Sequence, residues 1–391
     1  MKEKSVLIVI PARMGSTRLP GKPLKTIAGK PLIEWVIEAA KQVSHIKGIV
    51  VATDHQDILK VVNKLKNVKG IMTSSSHKSG TERLIEISKK EKADFYINIQ
   101  GDEPLIDPKD VELLIENLLN SNSEIVTLAH EIDSISAKEP SNVKVICNQK
   151  NEAIYFSRNI IPYGNTSYLQ HIGLYGFTKQ SLELIEKLDE SKLEKLESLE
   201  QLRWIDNNLK IKVIMTKNKA IGVDTIQDLK NVEKILMLKK IKVLFSDVDG
   251  ILTDGKIWYG EKGEQIKAFH SRDGLAIKLL ISNGIQFGLI SARDSEPLRK
   301  RAKDLGIKYL ILGEEDKVLG CKKLLQELNI NKDNAAYIGD DNIDIPAMEY
   351  CGFSFTVKDA VKPVLEKAKL VLKSKGGEGA IREISDLIFD I

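Results

Sequence analysis

Cysteine is nearly absent: Cys147, Cys321 and Cys351 lie far apart, odd in number and without metal-ligand spacing. That argues against a disulfide framework and for a reducing compartment, with the thiols buried or neutral. Net charge is also small, since 59 Lys+Arg against 55 Asp+Glu leaves +4. No Lys/Arg run or aromatic-basic repeat accompanies it, so a nucleic-acid partner is not expected. Long apolar runs are missing too, none approaching the roughly 20 residues of a membrane span. Met1–Ser5 leads into only five apolar residues, without the long core of a signal peptide. The expectation is a soluble cytoplasmic protein with no membrane partner. What remains is ordinary globular composition, 42% hydrophobic and 29% charged, in a chain of 391 residues, too long for one ordinary core.

The middle of the chain shows where a second core begins. Lys242-Val-Leu-Phe-Ser-Asp-Val-Asp-Gly-Ile-Leu-Thr-Asp254 runs four β-favouring residues into two aspartates separated by one residue. Asp247 and Asp249 therefore leave the strand end on the same side, where two carboxylates suit a hard cation. The predicted domains are 1–238 and 242–391, with a short linker near Met237–Ile241.

The first half opens with strand Val6–Ile10, which runs into Pro11-Ala-Arg-Met-Gly-Ser-Thr-Arg-Leu-Pro-Gly-Lys-Pro-Leu24. Apolar residues at 32, 33, 36, 37 and 40 then have helical spacing. Three cations, Arg13, Arg18 and Lys22, among glycines and Ser16 are excessive for a plain turn and suit a phosphate cradle. Strands at 49–52, 69–72 and 95–99 alternate with helices at 58–65, 81–89 and 108–119, which predicts a parallel, helix-flanked sheet. Gln100-Gly-Asp-Glu-Pro104 falls at a strand end, and Asp102 sits where a metal bound to cradled phosphates is needed. Later strands at 125–128, 143–147, 153–156 and 171–177 place Arg158 and His171 at strand ends. One charged helix is predicted over Leu193–Ile205, and Asp224 follows a further strand.

Six ordered motifs over residues 4–238 resemble CMP-Kdo synthetases, the 3-deoxy-manno-octulosonate cytidylyltransferases. They are Pro11–Leu24, Ser79-Gly-Thr-Glu-Arg83, Gln100–Ile106, His171-Ile-Gly-Leu-Tyr175, Glu197–Arg203 and Gly222-Val-Asp-Thr225. The resemblance implies that Arg13, Ser16 and Lys22 hold CTP and that Asp102 and Asp224 hold Mg²⁺. It implies Gln100, Arg158, His171, Tyr175, Glu200 and Gln201 as contacts to the sugar acid, Arg158 being suited to a carboxylate. A cytidylyltransferase for nine-carbon sialic-type acids is the rival, and Gly15-Ser-Thr-Arg-Leu-Pro20 favours the eight-carbon acid.

In the second half, segments at 257–259 and 265–269 read as a hairpin, after which helices and strands alternate to Ile338. Asp247, Asp249, Ser291, Lys317 and Gly339-Asp-Asp-Asn-Ile-Asp344 at comparable strand ends resemble the haloacid-dehalogenase phosphatases. Arg272-Asp-Gly274 and Lys375-Gly-Gly-Glu-Gly-Ala-Ile-Arg-Glu383 narrow the likeness to Kdo 8-phosphate phosphatases, with Ala292 where that pattern has glycine. This implies Asp247 as nucleophile, Asp249 as acid/base, and Ser291 and Lys317 on the phosphoryl group. It also implies Mg²⁺ on Asp247, Asp340 and the Asp249 carbonyl. There is no room for a large cap, so Arg272 and the glycine-rich tail are expected to select substrate from a neighbouring subunit.

The expected fold class is α/β in two domains, a Rossmann-like nucleotidyltransferase and a capless Rossmannoid phosphatase of the haloacid-dehalogenase type. The implied substrates are CTP, Kdo and Kdo 8-phosphate, and the implied assembly is a homo-oligomer, a tetramer. The alternatives are a nonulosonate synthetase–phosphatase pair, or a second half that serves only oligomerisation.

Overall fold

The computed structural model describes residues 4–15, 18–121, 123–219, 221–261 and 263–389. It divides into two compact units, Met1–Glu233 and Lys234–Ile391. The division falls inside helix Ile226–Lys239, earlier than the expected linker. The reason lies in the last helical turn, where Leu238 is already buried in the second core together with Ile241. Among the described residues, no helix is long and apolar enough to cross a membrane.

The first unit is built on a sheet whose main path runs Ile211–Met215, Ile125–Asp133, Ser167–Thr178, Phe95–Asn98, Val6–Ala12, Gly48–Thr53 and Lys69–Met72. Val6–Ala12 pairs in parallel with both neighbours, as βαβ alternation requires. The sheet is nonetheless mixed, because Ser167–Thr178 runs antiparallel to both of its neighbours on this path. That strand shifts register between Ile172 and Tyr175. His171 accordingly sits within a strand and not at its end. In helix Leu32–Ala40 every apolar residue that predicted it is buried. Asp107 caps helix Pro108–Asn120 by accepting from Lys109 N, with Pro108 in the first turn.

The single helix expected over Leu193–Ile205 is broken. Lys192–Glu197 and Gln201–Asp206 are separate helices, because Ser198 adopts a left-handed conformation with φ 54°. The break turns Leu199, Leu202 and Trp204 into the core. It also brings the Glu197 carboxylate to Ser157 Oγ at 2.7 Å and to the Arg158 amide at 2.9 Å. Helical periodicity alone does not reveal a stop that tertiary contacts impose.

The second unit carries an all-parallel sheet in the order Tyr309–Leu312, Gln286–Ser291, Val243–Ser246, Ala335–Ile338, Phe353–Thr356 and Leu370–Val371. Strand order reverses around Val243–Ser246, so Asp247 emerges at the switch point where such sheets bind ligands. A two-stranded hairpin, Trp258–Gly260 with Gly263–Ile266, follows and exposes Trp258, Tyr259 and Ile266. The glycine-rich tail lies on its own chain's Asp247–Asp254 loop. Gly377 N donates to Ile251 O at 2.9 Å, and a Cβ on Gly376 would stand 2.0 Å from Gly250 O. Two backbones approach here so closely that only glycine fits. The tail therefore has a structural task within its own subunit, beside the one expected of it.

Candidate active sites

The basic loop after Val6–Ala12 opens onto a cleft of about 240 Å³, lined among others by Arg13, Arg18, Lys22, Gln100, Asp102 and Asp224. Lys22 begins a short 3-10 turn and is 8% exposed. Its Nζ lies 2.7 Å from Asp102 Oδ2 and 3.0 Å from Asp224 Oδ1, and Arg18 Nη1 is 3.1 Å from Asp224 Oδ2. Burial alone would lower the Lys22 ammonium, but the charges and hydrogen bonds of Asp102 and Asp224 outweigh it and hold the pKa above its ordinary value. Two carboxylates from distant parts of the chain thus converge on one point of positive charge. Ser16 lies outside the described residues.

The remaining sugar-acid candidates do not share one surface. Gln100 lines the cleft and donates from Nε2 to Gly173 O at 3.2 Å. Glu200 lines a second cavity with Ser79, Thr81 and Arg203, and accepts from Thr81 Oγ1 at 2.7 Å. Burial raises the Glu200 carboxyl above its ordinary range. His171 is half-buried beside Thr127, Nε2 to Oγ1 3.0 Å, and desolvation pushes its imidazole down to about 3. Tyr175 has a buried hydroxyl without a partner, while Gln201 is buried at 4% exposure. Arg158 lines neither cavity. Its Nε donates to Glu197 O at 3.0 Å and its Nη1 to Pro140 O at 3.2 Å, so both edges of the fork already serve the backbone.

Residues beyond those singled out also belong here. Arg83, 2% exposed, pairs with Asp54 at 2.6 Å and donates to Thr73 Oγ1 at 2.7 Å beneath the cleft. Glu103 is half-buried, and desolvation followed by the charge of Asp102 pushes its carboxyl up to about 8. Both stand in quoted motifs, which was the available signal; their burial was not readable.

In the second unit, Lys317 begins helix Lys317–Leu328 and reaches Asp247 Oδ1 at 2.8 Å and Ile290 O at 2.7 Å. The Val248 amide donates to the same Asp247 oxygen at 2.7 Å. Ser291 is buried at the end of its strand, its Oγ accepting from Arg293 N at 3.1 Å. Carboxylate oxygens of Asp247, Asp340 and Asp344 all lie within 4.8 Å of one another. Asp344 was quoted in a motif without a role, yet it is fully buried, accepting from Tyr337 Oη at 2.7 Å and from the Asp340 and Asp341 amides at 3.1 Å. Burial, then the Asp344 charge, push Asp247 up to about 7 and Asp340 up to about 8. Gly250, at φ 86°, leaves room for this cluster, since a Cβ there would stand 2.0 Å from Asp340 Oδ2. The side chain of Asp249 stands apart from the cluster, held by Lys267. Arg272 lines a separate groove with Arg382 and Glu383.

Two α/β units, each with phosphate-suited cations and acids at strand ends, define a pair of phosphate-handling enzymes in one chain. Residues 7–211 match the cytidylyltransferase family, and the chain belongs to that family. Residues 311–384 match the haloacid dehalogenase-like hydrolases, so the chain is a fusion of the two.

The chain is 43% identical over 235 residues to the 3-deoxy-manno-octulosonate cytidylyltransferase of Escherichia coli, covering 59% of this chain and 95% of that protein. Its likeness to the enzyme of the same name from Fusobacterium nucleatum is 44% over 244 residues, 60% of this chain and 98% of the relative. Among solved structures it resembles CMP:2-keto-3-deoxy-manno-octonic acid synthetase complexed with CTP, at 43% identity and TM-score 0.58, over 59% of this chain and 98% of that one.

Proposed function

We propose that the chain carries out two consecutive steps, hydrolysis of Kdo 8-phosphate to Kdo and transfer of CMP from CTP to Kdo with release of pyrophosphate. The observation that carries this is the presence of two separate acid–lysine constellations, Asp102–Lys22–Asp224 in the cytidylyltransferase half and Asp247–Lys317–Asp340–Asp344 in the hydrolase half.

In the first half, Arg13, Arg18 and Lys22 neutralise the triphosphate, Ser16 belonging to the same loop. The sugar's anomeric hydroxyl attacks the α-phosphorus, the bond to pyrophosphate breaks, and the hydroxyl proton goes to solvent. Gln100 is the sugar contact that lines this cleft, and Glu200 lines the neighbouring cavity with Ser79 and Thr81. In the second half, Lys317 and the Val248 amide hold Asp247 Oδ1, leaving Oδ2 to attack phosphorus and form an aspartyl-phosphate. Asp249 protonates the leaving oxygen, then takes a proton from the water that releases phosphate. Ser291 and Lys317 steady the phosphoryl oxygens.

The donor set of the second unit fits a divalent cation. Asp340 Oδ1 is buried without a partner, and three acids crowd one spot, which is costly without a compensating charge. Asp247, Asp340, Asp344 and the Asp249 carbonyl would hold one Mg²⁺; in the first unit Asp102 and Asp224, here paired with Lys22 and Arg18, are the acids that would hold another. Bound there, the ion supplies positive charge that shields the nucleophile and the phosphates from mutual repulsion.

A pyrophosphate-release assay with CTP and either Kdo or neuraminate, alongside phosphate release from Kdo 8-phosphate, tests the reading. Turnover with Kdo, dependent on Mg²⁺ and lost on chelation, is expected; preference for neuraminate would refute the eight-carbon assignment. A homo-oligomeric assembly, a tetramer, is proposed with it, and a monomer by light scattering at micromolar concentration would refute that part.

A further inference from the structure

Lys267 follows the exposed hairpin directly, yet its side chain is 0% exposed. A buried ammonium loses its hydration, and such a group is retained only where anions meet it. Here Nζ pairs with Asp249 Oδ1 and lies 3.0 Å from Glu264 Oε1 on the hairpin. Thr253 Oγ1 donates to the same Asp249 oxygen at 3.4 Å. Oδ1 is therefore occupied, while Oδ2 has Arg293 Nε 3.9 Å away.

We propose that Lys267 is a positioning residue for the phosphatase reaction, fixing the Asp249 carboxyl in one rotamer through Oδ1 and tying the base of the hairpin to the catalytic loop. The inference rests on the reading of the second half as a phosphatase. When Asp247 bonds to phosphorus and the phosphorus–sugar oxygen bond breaks, the leaving oxygen takes the proton from Asp249 Oδ2. Water then gives Oδ2 its proton as its oxygen attacks phosphorus, freeing phosphate and the Asp247 carboxylate. Lys267 takes no part in either transfer and holds Asp249 in one rotamer.

The full chain with Mg²⁺ is compared with K267M and K267R on two phosphomonoesters, Kdo 8-phosphate and p-nitrophenyl phosphate. Nitrophenolate leaves without a proton, so only the sugar ester needs a placed acid. In single-turnover alcohol release, which precedes the water step, K267M is expected to lose about 10²-fold on the sugar ester and less than about 10-fold on the aryl ester. K267R should recover the sugar ester to within about 10-fold of wild type. Amide exchange across the hairpin should quicken in K267M and not in K267R. If K267M does not fold by circular dichroism, K267Q carries the same comparison. Equal losses on both esters, or no loss on either, would overturn the role. A folded wild-type chain that hydrolysed neither ester would overturn the phosphatase reading and the role with it.

Discussion

In the first unit Asp102 and Asp224 meet across the Lys22 ammonium, with Arg18 beside them, whereas in the second Asp247, Asp340 and Asp344 crowd together with only Lys317 at their edge. The first cleft is cationic at its rim and suits an anion. The second holds an excess of buried acid, enough to push Asp247 to about 7 and Asp340 to about 8, and waits for a cation. The same fold principle, ligands at the carboxyl ends of strands, thus supports opposite electrostatic deficits. Each deficit is matched to what the site must bind before chemistry begins.

The contrast predicts separable sites, and the largest effect belongs to the nucleophile. Asp247→Asn should cost on the order of 10³-fold or more in phosphate release while leaving CMP-Kdo formation from supplied Kdo nearly unchanged. Asp102→Asn should give the converse. If Asp247→Asn abolished the transferase in a folded, assembled chain, the two sites would be coupled and the contrast wrong.

Lys22→Ala sharpens the comparison from the other side. Removing the cation between two acids should lower transferase kcat about 10²-fold, with phosphate release unaffected, in the same pair of assays.

A smaller effect concerns packing under the acid cluster. Gly250→Ala places a methyl against Asp340 in a left-handed backbone position and should destabilise the second unit by about 1–3 kcal/mol. Urea unfolding of that unit reads it, and an unchanged midpoint would show that the loop has more room than its geometry indicates.

The smallest effect is a pH slope in the first unit. His171 has a folded pKa of about 3, below its ordinary value of 6.5, because burial disfavours the imidazolium. The unfolded chain therefore takes up the proton first as pH falls. The contribution is full above about pH 6.5 and is lost progressively toward pH 3, by at most about 1.4 kcal/mol per pH unit. His171→Asn should flatten the pH dependence of unfolding in that window; an equal slope in both chains would remove His171 from the account.

Much of this was legible from local pattern. Helix Leu32–Ala40, the capped helix at Pro108 and the strands leading to Asp102 and Asp247 follow from periodicity, capping and strand ends. The antiparallel course of Ser167–Thr178 was not, because a strand's own residues do not state which neighbours it will pair with. The stop at Ser198 was hidden by apolar residues that kept helical spacing across it. Lys267 belongs to none of the motifs, and nothing in its local sequence marks it as buried.

The sequence by itself determined the two families of chemistry, because the residues that meet phosphate and metal sit in short contiguous motifs at strand ends, where local order suffices to place them. Tertiary structure alone decided what each group faces. Lys22 lies between acids drawn from loops about 80 and 200 residues away, Asp344 completes a cluster with Asp247, and Lys267 reaches back to Asp249 across the hairpin. Burial and charge proximity arise only when distant segments pack, and they fix which carboxyl keeps a proton and which lysine is held as an ammonium.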